Sequence, residues 1–520
     1  MTWTAETSQG NEAAKIRWEL PPYTRGRVLD VGCGPFKAFP HFTGVDNGHH
    51  DAAFGWQSKP DLLVDSAAKL DLIATASCDA VFSSHLLEHF PYGDVHAVLA
   101  EWMRVLKVGG HLILYLPDED QYPKVGEPGA NPDHKWNVSI ERVIEAMRGI
   151  QGWDLVDFQK RSEGIEYSLF FVFKKTLTGN HQSWKQPKPA ERALVVRFGA
   201  FGDMLQASSV AAGLKALGFH VSFMGSYPGL EVLTNDPNID AFVVLDKDQV
   251  PNHELGAYFE QLRTKYDRFV NLCESVEVAL LTVPNRTNHH WPDVLRRKLF
   301  NHNYLEVQHA LAGVPHVPAV RFYPTDKERA WARQQRAQMR GPVILWSLNG
   351  SSVHKVWGYV DSMIESLLHF CPGVEVVLCG GPESDALQRP WEGKEQVHCV
   401  AGRWSIRQVL SFIEEVDVVV GPETGVLNAA SHRDVAKIVF LSHSSHENLT
   451  RDWVNTVALA APAAKAPCYP CHRLHYDWKH CHKHANGTAL CQGEITPEIA
   501  WEAFKKVLMP MYENVVTEAA

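Results

Sequence analysis

Along this chain, runs of apolar and β-branched residues repeatedly end in a glycine-rich turn that precedes a helix-forming segment. The first such run is VLDVGCGP at 28–35, and later ones are ALVVRFGAFGD, PVILWSLNGSS, VEVVLCGGPES and VDVVVGPETG. Strands that alternate with helical segments predict parallel α/β sheets. In such sheets, ligands bind where the strands end. The pattern therefore predicts an α/β fold and directs attention to the strand ends.

Three blocks of this kind follow one another. The length of 520 residues also favours about three domains. A polar, proline-containing stretch at 179–192 has no periodicity and is predicted to be a linker. We therefore expect a first domain at 1–178 and two paired α/β lobes at 193–340 and 341–520.

Composition excludes several classes of protein. Apolar residues make up 45% and charged residues 21% of the chain, which is ordinary for a globular protein and excludes a disordered one. A net charge of −10 argues against a nucleic-acid partner. No apolar stretch reaches the roughly 18 residues of a membrane span, and the first residues do not resemble a secretory signal. A cytoplasmic protein without an integral membrane segment is expected.

The first block contains the residue types expected of a site that binds a nucleotide-like ligand. Asp30, Gly32 and Gly34 stand at a strand end, where glycines permit a tight turn and close approach to a ligand. Asp46 ends the next short strand, and its carboxylate can accept hydrogen bonds from ribose hydroxyls. The alternative is an ordinary strand–helix turn.

Further motifs make 25–175 resemble the class I S-adenosylmethionine-dependent methyltransferases. They are DLLVDS, SSHLLEHF and EWMRVLKVGGHLILYLPD, in that order. The resemblance implies that Asp30, Gly32 and Gly34 hold the methionine part of the cofactor and that Asp46 holds the ribose. It also implies that Asp65 and Ser66 bind the adenine and that His85 faces the reaction centre. A hydroxyl acceptor needs a base, for which His85, Glu88 and His89 are candidates; alternatively, HLLEH only begins a helix.

The second and third blocks supply a different set of groups. Asp203 follows Gly202 at a helix start, where an aspartate is also favoured simply as a cap. Ser351, Ser352 and Lys355 follow a later strand and could cradle a diphosphate.

Residues 192–508 resemble glycosyltransferase family nine, the bacterial heptosyltransferases, through R-F-G-A-F-G-D, S-S-x-x-K-x-W, G-G-P-E and P-E-T-G. The family has the GT-B fold of two Rossmann-like lobes. The resemblance implies that Asp203 is the general base of an inverting transfer from a nucleotide sugar such as an ADP-heptose. Lys355 would neutralise the leaving group, and the remaining donor-binding residues would be Ser351, Ser352, Glu383, Glu423, Thr424 and Gly425. Asn428 stands where many members have histidine, and Glu423 where aspartate is common.

Four of the ten cysteines cluster at 468–491, with the spacing Cys468-x2-Cys471-x9-Cys481-x9-Cys491. Four thiolates can close a tetrahedral site around zinc or iron, so a small structural metal finger is predicted; four reduced thiols are the alternative. Five histidines between Cys471 and Cys491 could replace a ligand, but a solvated basic loop is favoured. The basic run at 296–298 is likewise expected on a solvated helix face, with contact to an anionic acceptor as the alternative.

Together these features predict a bifunctional enzyme. One part would methylate, and the other would transfer a heptose-like sugar to a glycan, a lipopolysaccharide or a glycoprotein. The fusion suggests that both act on related substrates. Two other hypotheses remain: a methyltransferase with a non-catalytic glycan-binding GT-B module, and a structural homo-oligomer assembled through the metal finger.

Overall fold

The computed structural model describes residues 11–51, 56–150, 152–162, 165–177, 191–246 and 249–518. The chain divides into unit 1, Met1–Pro189 with Val243–Lys265, and unit 2, Ala190–Phe242 with Tyr266–Ala520. The predicted linker at 179–192 lies outside the described residues as far as residue 190. In the part of the chain that is described, no helix is long and apolar enough to cross a membrane.

The helices are short to medium in length. In chain order they are α1 (Ala13–Ile16), α2 (Tyr92–Val105), α3 (Ile140–Met147), α4 (Phe201–Ala216), α5 (Tyr227–Glu231), α6 (Leu255–Arg263), α7 (Asp293–Phe300), α8 (Tyr304–Ala312), α9 (Asp326–Arg336), α10 (Val360–Phe370), α11 (Asp385–Gln388), α12 (Ile406–Phe412), α13 (Gly425–Ala430), α14 (Leu490–Gly493) and α15 (Pro497–Glu518). Two 3-10 turns, at Arg17–Glu19 and Leu87–His89, contain residues that are described below.

Unit 1 is built on a seven-stranded sheet. Its strands are β1 (Val28–Val31), β2 (Thr43–Asp46), β3 (Leu62–Leu63), β4 (Cys78–Ser84), β5 (Leu106–Pro117), β6 (Trp153–Arg161) and β7 (Ser168–Lys175). They lie in the order β3-β2-β1-β4-β5-β7-β6, with β7 antiparallel to both of its neighbours and the other pairs parallel. Strands β2 and β3 lie on one side of β1, and β4 and β5 lie on the other. The ends of β1 and β4 therefore flank the crevice where α/β sheets bind ligands.

The core of unit 1 explains why these segments fold as they do. All four residues of β1 are buried, and β7 is buried along its first six residues, as expected for strands covered on both faces. Helix α2 places Val95, Leu99 and Trp102 against this sheet at helical spacing.

Unit 1 also contains a segment from far along the chain. Residues 243–265, within the range predicted as the first lobe, belong to unit 1. The reason is a set of buried contacts with the first turns of the chain: Arg17 forms an ion pair with Glu254, and Gln249 donates to the carbonyls of Pro21 and Thr24. Long-range partners of this kind leave no local pattern in the sequence.

Unit 2 has two parallel sheets. The strands of these sheets are β8 (Arg192–Val196), β9 (His220–Gly225), β10 (Ala241–Val244), β11 (Arg268–Asn271), β12 (Val343–Ser347), β13 (Glu375–Cys379), β14 (Val397–Cys399), β15 (Val418–Pro422), β16 (Ala436–Phe440) and β17 (Thr456–Leu459). The unit boundary after Phe242 falls within β10. The first sheet has the order β10-β9-β8-β11 and the second β14-β13-β12-β15-β16-β17. We call the first sheet with its helices the first lobe, and the second sheet with its helices the second lobe.

Both lobes place their central strand next to a strand from later in the chain, which is the Rossmann-like arrangement. In the second lobe, β12 lies between β13 and β15, and all of its pairs are parallel. The buried aromatic residues Trp346, Trp357 and Phe440 stack in its core. The predicted α/β class, with a first α/β domain followed by two Rossmann-like lobes, is confirmed.

Candidate functional site

A cavity of about 560 Å³ lies between the two lobes of unit 2. The start of α4 lines it from the first lobe, and the start of α13 and the turns after β12 and β13 line it from the second. Its volume is within the range of sites that bind drug-sized ligands. Asp203, Ser351, Lys355, Glu383, Glu423, Thr424 and Gly425 all line this cavity.

Two glycines bring the helix starts together. A Cβ atom added to Gly202 would lie 2.8 Å from Nδ2 of Asn428 and 3.3 Å from Cα of Gly425. One added to Gly425 would lie 3.1 Å from the backbone nitrogen of Gly202. The absence of side chains at both positions therefore lets α4 and α13 meet and places Asp203 close to the strand ends of the second lobe.

Asp203 occupies the first turn of α4, and its carboxylate accepts a hydrogen bond of 2.9 Å from the backbone of Ala200. Nη2 of Arg197 lies 3.4 Å from its other oxygen, Oδ1. Arg197 is itself buried and pairs with Glu277 at 2.9 Å. The carboxylate is therefore held by a backbone donor and a buried cation while it faces the cavity.

Opposing effects set the proton affinity of Asp203. Burial raises its pKa above the ordinary value, Arg197 and Lys355 lower it, and Glu277 raises it. The net shift is upward, toward the range in which a carboxylate can accept a proton from an alcohol during reaction.

The turn after β12 contains the three residues predicted to bind the diphosphate, and two of them line the cavity. Ser351 and Lys355 line the cavity, but Ser352 does not. The backbone of Lys355 donates to the carbonyl of Ser352 at 2.9 Å, and this tight turn leaves the Ser352 side chain buried. The diphosphate-binding role of Ser352 therefore stays a prediction, with its side chain buried beside the turn that presents Lys355.

Glu423 is fixed by a network of its own. It accepts hydrogen bonds from the backbone of Ser442 at 2.6 Å and from the hydroxyl of Ser444 at 3.0 Å, and it lies 2.8 Å from Nδ1 of His443. Burial alone would raise its pKa, but His443 and these donors hold the pKa at about 2. Glu423 is therefore an anion that organises the cavity wall.

Sequence reasoning missed Arg197, Glu277 and His443 as members of this site. Arg197 is the first residue of the motif RFGAFGD, but the motif does not indicate that this side chain pairs with Asp203. Glu277 and His443 belong to no recognised motif; only the folded chain brings them to Asp203 and Glu423.

In unit 1, the predicted cofactor residues lie at neighbouring strand ends. Gly32 and Gly34 both have positive φ, which L side chains rarely adopt, and space is open around Gly34. The Asp46 carboxylate accepts a hydrogen bond of 3.1 Å from the backbone of Gly34. Asp30 is buried and accepts from the backbone of Ala38 at 2.8 Å, so it braces the turn. Burial raises the pKa of Asp30 to about 7.

The other predicted residues of unit 1 follow β3 and β4. Asp65 is exposed, and the Ser66 hydroxyl accepts a hydrogen bond from the backbone of Ala68 at 3.1 Å. His85 has positive φ, forms a hydrogen bond of 2.9 Å with the Ser168 hydroxyl, and has a pKa lowered by burial. Glu88 is completely buried in the 3-10 turn Leu87–His89, and burial raises its pKa to about 8.

The four clustered cysteines line one cavity of about 60 Å³ in unit 2. No three of their sulfur atoms form a set within 4.8 Å of one another in the described structure. Burial raises the pKa of Cys471 to about 12, and the neighbouring thiols add to this effect. The other six cysteines are buried or half-buried in the two units.

The surroundings of this cavity differ from the predicted solvated loop. His472 and His475 are buried, and Arg296 is buried with its Nε donating to the carbonyl of Cys471 at 3.0 Å. The prediction of a solvated face was therefore wrong for these three residues, because α7 packs against the cysteine loop.

Buried histidines also connect this cavity to the larger one. Nε2 of His475 lies 3.6 Å from the sulfur of Cys471, and the rings of His475 and His354 are 5.3 Å apart. His354 in turn forms a hydrogen bond of 3.0 Å with His443, the partner of Glu423. A series of side-chain contacts therefore runs from Cys471 to the wall of the large cavity.

Comparison with solved structures finds similarities to both units. The chain is similar to the ADP-heptose lipopolysaccharide heptosyltransferase II of E. coli, with 16% identity, 62% of this chain and 99% of that chain covered, and a TM-score of 0.44. It is also similar to TibC, a dodecameric iron-containing heptosyltransferase, with 16% identity, coverages of 69% and 92%, and a TM-score of 0.41. A SAM-dependent methyltransferase from Archaeoglobus fulgidus has 16% identity, coverages of 31% and 92%, and a TM-score of 0.23.

No curated protein matches the sequence. One family model does match, described as a methyltransferase domain, over residues 29–114. These residues run from β1 into β5 and include the glycine turn, Asp46 and the segment that follows β4. The N-terminal part of this chain therefore contains a methyltransferase domain.

Proposed function

We propose that the chain is an enzyme with two active sites, a sugar-transfer site in unit 2 and a methyl-transfer site in unit 1. The observation that carries the first is the position of Asp203, a carboxylate with a raised pKa that lines the same cavity as Lys355 and Thr424. The cavity offers the groups that a nucleotide sugar requires, since its anionic phosphates need a cation and hydrogen-bond donors.

In the proposed reaction, a hydroxyl of the acceptor attacks the anomeric carbon of the donor sugar, and Asp203 takes the hydroxyl proton. The bond from that carbon to the diphosphate oxygen breaks, and the nucleoside diphosphate leaves with the electron pair. Attack from the opposite face inverts the configuration. Arg197 positions the base.

The leaving group requires compensation of its negative charge. Lys355 supplies a fixed positive charge in the cavity, and such preorganised charge lowers the barrier without reorganisation. Ser351, Thr424 and Gly425 would contact the phosphates and Glu383 the nucleoside. Glu423 stays ionised by its contact with His443 and holds the wall in place.

A panel of nucleotide heptoses and hexoses tests the proposal. Transfer or donor hydrolysis should occur with at least one of them and disappear in Asp203→Asn, while nucleotide binding measured by calorimetry stays within a few-fold. Asp326→Asn, an exposed aspartate on α9, is the control. Unchanged turnover in Asp203→Asn would refute the base assignment, and no reaction or binding with any donor would refute sugar transfer.

For unit 1, we propose S-adenosylmethionine as the cofactor. The positive-φ glycines and the open space at Gly34 fit a ligand that lies close to the backbone, and Asp46 offers a carboxylate for the ribose. When bound, the cofactor supplies an electrophilic methyl group. Asp30 braces the turn, Asp65 and Ser66 would bind the adenine, and His85 would face the acceptor.

Cofactor binding is the direct test. Asp46→Ala should weaken S-adenosylmethionine binding at least tenfold by calorimetry, because a charged hydrogen-bond acceptor contributes about 1.5–3 kcal/mol. Asp71→Ala, an exposed aspartate in the loop after β3, should bind as the parent does. Equal affinity of the two variants would refute the assignment of Asp46.

We propose further that Cys468, Cys471, Cys481 and Cys491 hold one structural zinc or iron ion. Support comes from four thiols around a single small cavity. Cys471→Ser should lose one equivalent of metal and melt at a lower temperature, while Cys371→Ser, a buried cysteine of the second lobe, keeps the metal. Metal content that is unchanged in Cys471→Ser would refute the site.

We infer the class of acceptor from the two proposed reactions, sugar transfer and methyl transfer. It is a glycan, either free or carried by lipopolysaccharide or protein. Both donors are made in the cytoplasm, where we place the protein. The structural alternative predicts a different result: a homo-oligomer that dissociates with chelator and has no turnover with any donor.

A further inference from the structure

We propose that Glu88, His89 and His134 form a site for one divalent transition-metal ion at the acceptor side of the methyltransferase domain. One ligand atom from each of these residues lies within 4.8 Å of the other two. Among the described residues, no other set of three or more histidine, cysteine, aspartate or glutamate side chains meets this condition. The site is separate from the four cysteines, which lie in unit 2.

The state of Glu88 is the second, independent observation. Its side chain is 0% exposed, and neither carboxylate oxygen has a hydrogen-bond partner. Nε2 of His134 lies 3.6 Å and Nδ1 of His85 3.7 Å from its Oε1, both beyond hydrogen-bond distance. A buried carboxyl group without a partner is costly. A cation between Glu88 and the imidazoles would satisfy both oxygens.

The backbone fixes the ligands relative to one another. The backbone of Lys135 donates to the carbonyl of Glu88 at 2.8 Å, so the loop that carries His134 is tied to the 3-10 turn that carries Glu88 and His89. The indole of Trp136 donates to the carbonyl of Leu87 at 3.4 Å, and Tyr122 packs on the His134 ring at 5.2 Å. Such support is typical of ligands held in place before a metal binds.

The donor set indicates the kind of ion. Two imidazoles and one carboxylate favour zinc, iron(II), manganese, cobalt or nickel over calcium and magnesium, which prefer all-oxygen sites. Glu88 and His134 are buried, whereas His89 is half-buried, so coordination positions remain on the side of His89. Three protein ligands with open positions are characteristic of sites where the metal also binds a substrate or water.

The location suggests what the open side would take. The turn Leu87–His89 follows β4, at the edge of the sheet where β1 and β2 carry the predicted cofactor residues. An acceptor hydroxyl bound to the ion would release its proton to water more readily. Its oxygen would then form a bond to the methyl carbon as the bond from that carbon to the cofactor sulfur breaks, and the cofactor would leave as a neutral thioether. This role rests on the proposed methyl transfer; the metal site itself does not.

Cobalt titration of the full chain, followed by absorption and calorimetry, tests the site. Cobalt bound by thiolates gives an intense charge-transfer band, which an imidazole–carboxylate site lacks, so the two sites are read separately. Glu88→Gln and His134→Gln should each lose one equivalent of the band-free cobalt and keep any thiolate band. Glu141→Gln, an exposed position on α3, should bind as the parent does.

Two results would overturn the proposal. One is equal cobalt binding by the parent, Glu88→Gln and His134→Gln. The other is loss of methyl transfer in Glu88→Gln with no change in metal binding, which would make Glu88 a proton acceptor only. Circular dichroism and melting confirm that the variants are folded. If cobalt binds as expected but S-adenosylmethionine does not, the metal site stands and the proposed methyl transfer fails.

Discussion

The side-chain amide of Gln206, on α4 of the first lobe, donates a hydrogen bond of 2.8 Å to Oδ1 of Asn428, on α13 of the second lobe. Both side chains are buried. Asn428 also donates to the carbonyl of Thr424 at 3.1 Å, so it is oriented by its own helix. This buried pair therefore joins the two walls of the large cavity next to Asp203.

Breaking this pair should cost stability and donor affinity together. Gln206→Leu leaves Oδ1 of Asn428 without its donor, and Asn428→Leu leaves Nε2 of Gln206 without its acceptor. Each loss of a buried partner costs about 1–3 kcal/mol, and we expect a lower melting temperature and a higher KM for the donor. In the double variant no amide is left unpaired, so its loss should be smaller than the sum of the single losses. Strictly additive losses would show that the pair does not couple the lobes.

The acid limb of the sugar-transfer pH profile should lie above that of an exposed aspartate. The Asp203 carboxylate must be ionised to accept a proton, and burial raises its pKa from an ordinary value of about 3.9. Activity is therefore present above the raised pKa and lost as the pH falls through it. Glu277→Gln removes a negative charge that raises this pKa, so the limb should move to lower pH.

Glu274→Gln is the control for that shift. Glu274 is exposed and paired with Arg286 outside the Asp203 network. An acid limb that moves equally in both variants, or not at all in Glu277→Gln, would contradict the assignment of Asp203 as the titrating base.

Gly202→Ala tests the close approach of α4 and α13. The added methyl group would lie 2.8 Å from Asn428, and such overpacking costs about 1–3 kcal/mol. We expect the donor KM to rise several-fold with little change in secondary structure. Gly256→Ala is the matched control, because its methyl group meets nothing within 4 Å and α6 should tolerate or gain from it. Normal donor affinity in Gly202→Ala would mean that the two helices can separate freely.

The ion pair between Arg17 and Glu254 should be a main support of unit 1. Glu254→Gln removes one charged partner of the buried Arg17, and breaking a buried ion pair costs about 3–5 kcal/mol. Thermal unfolding of the full chain should show a lower first transition. Glu260→Gln, exposed on α6, should change stability by less than about 0.5 kcal/mol. Equal melting curves for the two variants would show that the pair contributes nothing.

The parts that were predictable were those with local signatures. Short apolar runs and the glycines after them predict the strands that end in VLDVG, VVRFG and VVVGP. They also predict the positions of Asp46, Asp203 and Lys355 at the ends of strands. The parts that were not predictable depend on partners distant in sequence. Arg197 and Glu277, His443 and Glu423, and the burial of Arg296 beneath Cys471 all join residues that no local pattern connects.

Residues 243–265 have a consequence for how the two enzymes could be separated. Because this segment packs in unit 1 while the chain on either side of it belongs to unit 2, the polypeptide passes between the units three times. A protease site engineered at 179–189 would therefore give two fragments, and the longer one would carry a piece of the methyltransferase unit. The nicked fragments should migrate together until denaturant is added. The methyltransferase unit is thus discontinuous in sequence, so the gene cannot be divided into two independent enzymes by a single cut.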